Sequence, residues 1–345
     1  MPKKTTIYDI AKELNITAAT VSRALNDSPR VKEATKELII ETAKKMNYEQ
    51  NKLAQALKSG KSFNVGVIVP YINSNFFASV IRGIEEELYP KGYHVIICQT
   101  HDQENLEIEN ITSLLNAQVD GILMSISNSN IENNTTFKNL LKKHVPLIFF
   151  DRKKDIKGVS SVTIDDFKGA YLATQHLVEQ GCKRIAHLCN DRSLEIFQNR
   201  FLGYKQAILD AGLEFDDRLV VETVSKVDEA RKSAQKLLNL NQRPDGIFAS
   251  CDFSALGAIK EIKGNDLRIP EDICVTGFSN EPFSQFMELS ITSVDQSPLE
   301  MGRIAANVFL DEVQNSAKIK SEKQVILAPE LIIRKSSLKS ILINQ

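Results

Sequence analysis

Residues 5–26 read TTIYDIAKELNITAATVSRALN, two short amphipathic segments separated by Asn15 and Ile16. Thr6 followed by Asp9 has the spacing of a capping box, and Ile7, Ile10, Ala11 and Leu14 fall on one helical stripe, so a helix is expected over about residues 7–14. Thr17 then caps AATVSRAL, whose Val21, Ala24 and Leu25 recur at helical spacing and face inward. Two helices joined by so tight a turn read as a helix-turn-helix. A third helix is expected from about Val31 to Met46, with Leu38, Ile39, Ala43 and Met46 as its apolar face and Asn47 ending it.

In such a unit the second helix enters the major groove of DNA. Its outward residues are Thr17, Ala18, Ala19, Ser22 and Arg23. Arg23 can fork onto a guanine, and the methyl groups of Ala18 and Ala19 can meet thymine methyls. Thr17, Thr20, Ser22, Asn26 and Thr35 suit phosphate contacts, which fix register without reading bases. The charge distribution agrees. Residues 1–62 carry 12 Lys and Arg against 7 Asp and Glu, whereas the chain of 345 residues has a net charge of −1, so the basic end alone favours a polyanion.

From Val65 onward short apolar runs alternate with amphipathic stretches: VGVIVP, FFASVIRGIEEELYPKG, YHVIIC, VDGILMS and VPLIFFD. This is the pattern of parallel strands with crossover helices. A second series begins near Ser161 with SVTID and runs through RIAHLC, DGIFAS and ICVTGF. Two similar α/β halves are therefore expected in succession. Open parallel sheets bind ligands beyond the carboxyl ends of their strands. Asp151 after LIFF, Asp252 after GIFAS, and Ser279 and Asn280 after VTGF stand at such ends, while the pair Phe76–Phe77 follows the first strand, near enough to stack on a ring.

The run TTIYDIAKELNITAATVSRALNDSPRVKEATKELIIETAKKMNYEQN resembles the DNA-binding head of the lactose-repressor/galactose-repressor (LacI–GalR) family: DIA, TVSRALN, RV and NY match in order and spacing. The likeness extends over nearly the whole chain through VDGIL, VPLIFFDR, NRFLGY, DFSALGAIKE, IPEDICVTGFSNEPF and ITSVDQSPLEMGRIAANVFLDEV. It implies a small all-α helix-turn-helix head on an α/β core of two doubly wound parallel-sheet subdomains, similar to periplasmic sugar-binding proteins. The implied organisation is a head at 1–48, a hinge at 49–62 and an effector-binding and dimerisation core at 63–345. Its subdomains would be about 63–162 plus 296–323, and 163–295 plus 324–340.

The hinge reading rests on NKLAQALKSGKSF, residues 51–63. An isolated helix this short is marginal in water, and the resemblance implies that it forms only on operator DNA, where paired copies from a dimer lie in the minor groove. By alignment Leu57 is then the apolar wedge that kinks the duplex, with Lys52, Gln55 and Lys58 on phosphates or groove edges and Ala54 and Ala56 permitting close approach. The DNA-facing set also takes in Thr6, Tyr48 and Asn51. Gln50 stands where the family usually has proline. SGKS within this stretch is no phosphate-binding loop, because Gln55 occupies the position that needs glycine and no strand precedes it.

Carried over residue by residue, Asp151, Arg200, Asp252 and Gln296 would bind effector hydroxyls or orient the site, and Phe76 would pack on the ligand. Departures fall where specificity should lie: Ser74–Asn75 replace the usual Asn-Pro, Cys251 the usual Asn, and Ser279 the usual Asp. The resemblance makes a sugar or sugar derivative the first effector class, with a purine or a protein as the alternative. It also implies a transcriptional regulator, a repressor by the family's habit, that acts as a homodimer on an inverted-repeat operator.

Other classes fit less well. No G-x-G-x-x-G, H-E-x-x-H or G-x-S-x-G occurs and the five histidines show no ligand spacing, so neither an enzyme nor a metal or cofactor is expected. A cytoplasmic sugar-binding protein would account for the core but not for the basic head. The five cysteines form no C-x-x-C pair, which suits a reducing cytoplasm. Neither a signal core nor a span-length apolar run appears, so no membrane partner is expected.

Overall fold

The computed structural model describes residues 5–48, 60–128, 133–314 and 322–339. The chain divides into two compact units, residues 1–62 and 63–345.

Among the described residues of the first unit, α1 (Ile7–Glu13), α2 (Ala18–Leu25) and α3 (Glu33–Lys45) pack around Ile10, Val21, Ala24 and Ile39. The Asp9 carboxylate accepts from the backbone N–H of Thr6 at 2.8 Å and from its hydroxyl at 2.7 Å, which fixes the start of α1. Thr17 Oγ1 accepts from the Thr20 N–H at 3.1 Å and caps α2. Asn15 and Asn47 both end helices with positive φ, a conformation that asparagine tolerates. The expected apolar face of α3 needs one correction: Leu38 is 51 % exposed, because the stripe that meets α1 and α2 runs through Ile39 and Ala43 instead.

The second unit contains two six-stranded sheets. The first lobe is built from β1 (Asn64–Val69), β2 (His94–Gln99), β3 (Gly121–Met124), β4 (Leu147–Phe150), β5 (Ser160–Ile164) and β11 (Gln324–Leu327), in the order β11-β5-β4-β3-β1-β2 and all parallel. Its strands are Val- and Ile-rich runs because both faces are covered. Helices α4 (Asn75–Leu88) and α12 (Pro298–Gln314) cover one face, and α5 (Glu104–Asn116) and α6 (Thr135–Lys142) the other. Helices α4 and α12 cross in close contact, since a Cβ at Gly83 would strike the Leu299 carbonyl and one at Gly302 the Val80 carbonyl.

The second lobe repeats the plan with β6 (Ile185–Cys189), β7 (Val220–Glu222), β8 (Gly246–Ala249), β9 (Cys274–Phe278), β10 (Thr292–Asp295) and β12 (Glu330–Ile332), in the order β12-β10-β9-β8-β6-β7. Only β12 runs antiparallel, against β10. The covering helices are α7 (Asp166–Glu179) and α8 (Glu195–Asp210) on one face, with α9 (Val227–Leu238) and α10 (Asp252–Gly264) on the other. A short helix, α11 (Phe283–Phe286), follows β9.

The strand orders place a topological switch point between β1 and β3 in one lobe and between β6 and β8 in the other. They also move two expected boundaries. SVTID opens no second series: β5 pairs with β4 on one side and with β11 on the other, and so completes the first sheet. Residues 324–327 likewise belong to the first lobe, and the chain crosses at Ala328–Pro329 rather than before Gln324. Alternating side chains let one run, VILAPELII, serve both sheets, so hydrophobicity did not reveal the crossing.

Candidate functional site

In the first unit, α2 turns Val21 and Ala24 inward and leaves Thr17, Ala19 and Arg23 exposed. Ala18 is half-buried against the core, which limits its methyl group to an edge contact. Arg23 is exposed and, among the described residues, makes no side-chain hydrogen bond or ion pair. Thr17 and Thr20 share a hydroxyl hydrogen bond of 2.9 Å, and Asn26 donates to the Ser22 carbonyl at 2.6 Å. Thr6 is held by Asp9, and Tyr48 packs on the helical core. Lys36, 8 % exposed, ties α3 to the loop after α2 through Asp27 at 2.6 Å. Asn51, Ala54, Gln55, Leu57 and Lys58 lie outside the described residues.

In the second unit the strand ends of the two lobes converge. On the second lobe Arg200, from α8, donates Nε to Asp166 at 2.7 Å and Nη1 to the Ser250 carbonyl at 2.7 Å, while its guanidinium lies 3.7 Å above the Phe278 ring. Arg200 is 3 % exposed. A charge so deep requires this full set of partners. Burial still pushes the Asp166 carboxyl up to about 6, against the pull of Arg200.

Asp252, the first residue of α10, is wholly buried. Its oxygens accept from the Ser293 hydroxyl at 2.6 Å and the Glu281 N–H at 2.7 Å. Burial outweighs these bonds and raises its carboxyl to about 7. Gly277 of β9 makes the approach possible, since a Cβ there would occupy the space of Asp252 Oδ1. Ser250 Oγ donates to Asn190 at 2.7 Å, and Asn190 donates to Ser225 at 2.7 Å, which knits the ends of β6 and β8 together. Cys251 continues the net, with Sγ 3.4 Å from Ser225 and 3.2 Å from Ser254.

On the first lobe Asp151 is buried with φ of +61° and accepts from the Ser125 hydroxyl at 3.0 Å. Burial raises its carboxyl, with Arg152 and Arg200 acting against that from either side. Arg152 donates Nη1 to Asp102 at 2.6 Å, and its buried Nε faces Asp151 at 3.7 Å without a hydrogen bond. Among the described residues, side-chain hydrogen bonds join the lobes from Asn75 to Glu281 at 3.1 Å and from Asn128 to Ser193 at 2.7 Å. A cavity of about 290 Å³ opens beside the second of these, lined in part by Asn128, Arg152, Lys153, Lys154, Ser193 and Glu195.

Of the sequence-derived effector residues, Asp151, Arg200, Asp252 and Gln296 are buried at or beside the facing strand ends. The aromatic pair is placed differently. Phe76 and Phe77 are 8 % and 6 % exposed and sit edge-to-face in the first-lobe core, where Phe77 also meets Phe150, because the first turn of α4 rests on its own sheet. Asn280 is likewise committed, donating to Asp295 and accepting from Arg334 at 2.7 Å. Ser279 adopts φ of +104° and turns the chain after β9. Sequence reasoning passed over Asp102, Arg152, Asp166, Ser250, Ser293 and the cross-lobe pairs. Only the doublets DR (151–152) and DD (165–166) next to strand ends signalled any of them.

Two α/β lobes with polar strand ends facing across a crevice, on a chain that also carries a helix-turn-helix, define a ligand-responsive DNA-binding protein. Residues 62–335 match the model of periplasmic binding proteins and the sugar-binding domain of the LacI family, and residues 6–51 match that of bacterial regulatory proteins of the lacI family. The chain belongs to the LacI family of transcriptional regulators. It is 32 % identical over 305 residues to catabolite control protein A of Priestia megaterium, covering 88 % of this chain and 91 % of that one. It is 30 % identical over 342 residues to the transcriptional repressor PurR of Haemophilus influenzae (strain PittEE), covering 98 % and 99 %. The transcriptional regulator CelR in complex with cellobiose superposes with a TM-score of 0.72 at 26 % identity, over 96 % of this chain and all of that one. Among the described residues no helix is long and apolar enough to cross a membrane.

Proposed function

We propose that this protein is a cytoplasmic, nucleoid-bound repressor that binds an inverted-repeat operator as a homodimer and senses a sugar or sugar derivative between its two lobes. No catalytic step is assigned to it. In this reading residues 1–48 are the head, 49–62 the hinge, and the remainder the sensing and dimerising core. Arg23 reads a base edge. Thr17, Ala18, Ala19, Thr20, Ser22, Asn26 and Thr35 line the groove and phosphates, and Leu57 wedges the minor groove.

The observation that carries the reading is the convergence of Asp151, Arg200 and Asp252 at facing strand ends, with hydrogen bonds bridging the lobes. Carboxylates and a guanidinium in fixed positions suit the hydroxyls of a sugar. The complex of the similar CelR with cellobiose supports that class. A ligand that favours one lobe closure over another shifts operator affinity, and the coupling is reciprocal.

The test is a titration of the full chain with selected inverted repeats, with and without a sugar panel. Arg23→Ala is expected to lose about 1–3 kcal/mol of specific binding and to relax one position of the site. Leu57→Ala is expected to weaken specific binding while leaving effector affinity intact. A wild-type chain that binds random and selected DNA equally would contradict the reading.

A further inference from the structure

Arg152 follows β4 and Asp102 follows β2, yet the two side chains meet at 2.6 Å. In the first sheet β3 and β1 lie between those strands. At the usual strand spacing this separation is about 14 Å. The bridge therefore runs over the carboxyl ends of β3 and β1, across the switch point where ligands of such sheets bind. Tyr71, which follows β1, lies close enough to Asp102 for that charge to raise its hydroxyl, after burial.

The surrounding charge gives the bridge its meaning. Arg152, Lys153 and Lys154 line the adjoining cavity, against the carboxylates of Asp155 and Glu195. Lys153 is paired with Asp155. Asp151 lies 3.7 Å from Arg152 Nε, an ion-pair distance but too far for a hydrogen bond. Asp102, at 2.6 Å, is the hydrogen-bonded and closer counter-charge to Arg152. Exchange of an ion-paired carboxylate for a ligand anion gains little, whereas a freed guanidinium beside two lysines binds anions through paired, charge-assisted hydrogen bonds.

We propose that Asp102 sets the charge selectivity of the crevice: by holding Arg152 across the strand ends it excludes anionic ligands, so the effector is an uncharged, hydroxyl-rich molecule. This rests on the placement of the effector between the lobes. Asp102 acts through Arg152 and is a positioning residue. Its removal turns the first-lobe wall into an anion site.

Inorganic phosphate is the probe, because it reads crevice charge whether or not a sugar proves to be the effector. Thermal unfolding of the full chain is followed in phosphate at constant ionic strength. The wild-type midpoint is expected to stay constant, while D102N and D102S gain a saturable rise. Their phosphate affinity should exceed that of wild type by about tenfold or more. Adding R152Q to D102N should abolish the rise, which separates the crevice from phosphate bound at the head. Equal responses in wild type and variants, or none in either variant, overturn the proposal. So does loss of cooperative unfolding in both D102N and D102S, since the bridge would then be part of the folded framework. A sugar panel without hits leaves this result standing and counts against the sensing reading alone.

Discussion

At the carboxyl ends of β6 and β8 the second lobe closes its switch point with short hydrogen bonds, Asn190 to Ser250 and Asn190 to Ser225, whereas the first lobe spans β1 and β3 with the single side chain of Arg152. The second-lobe charges, Arg200, Asp166 and Asp252, are buried and bonded within their own lobe. The Arg152 and Asp102 side chains are 12 % and 34 % exposed, and Arg152 Nε makes no hydrogen bond. The difference is one of support. One wall is held by several buried bonds, and the other rests on one partly exposed ion pair.

Breaking the buried wall should cost most. Arg200→Ala leaves Asp166 buried without its counter-charge and uncovers Phe278, and is expected to destabilise the chain by about 3–5 kcal/mol in urea unfolding. A loss of under about 1 kcal/mol would mean that this wall is held no more firmly than the other.

A second expectation concerns pH. The folded Asp252 carboxyl, at about 7, lies above the ordinary aspartate value of 3.8, so across that window the native state holds a proton the unfolded chain has released. Its stabilising contribution is complete below pH 3.8 and lost as pH rises through 7. Between those limits it lowers stability by up to about 1.4 kcal/mol per pH unit, a slope that Asp252→Asn should remove. Identical slopes in the two chains would show that Asp252 is ionised in the native state.

The bridges between the lobes sharpen the contrast next. Asn75→Ala removes one cross-lobe hydrogen bond and leaves each core intact, so a change of about 0.5–1.5 kcal/mol is expected. The same substitution should alter effector affinity, read by calorimetry. The smallest effect is assigned to the other wall: Asp102→Asn, at a partly exposed ion pair, should shift urea stability by only about 0–1 kcal/mol. A cost as large as that of Arg200→Ala would erase the difference between the walls.

Sequence and structure part company for physical reasons. The head was legible because each of its features is local: a cap at Thr6, a turn at Asn15, a cap at Thr17, and a stripe of Ile10, Val21 and Ala24. The α/β alternation was equally plain, because buried parallel strands read as unbroken apolar runs. The second crossing was not, since VILAPELII is equally suited to either sheet. In the crevice, single charged residues at strand ends marked Asp151 and Asp252. Their partners, Ser125, Ser293 and Glu281, come from distant segments that no spacing connects. Phe76 and Phe77 are not decided by sequence, because an aromatic pair after a strand can face its own core as well as a ligand. The reach of Arg152 to Asp102 needed the strand order, which only the fold supplies.

The most direct test of the account is the operator affinity of the full chain on a selected inverted repeat, titrated with a panel of neutral sugars and their phosphorylated counterparts. The account predicts that at least one neutral sugar changes affinity by about fivefold or more, and that its phosphorylated form does not. Operator binding that is indifferent to every neutral sugar, or that responds only to phosphorylated ones, would contradict it.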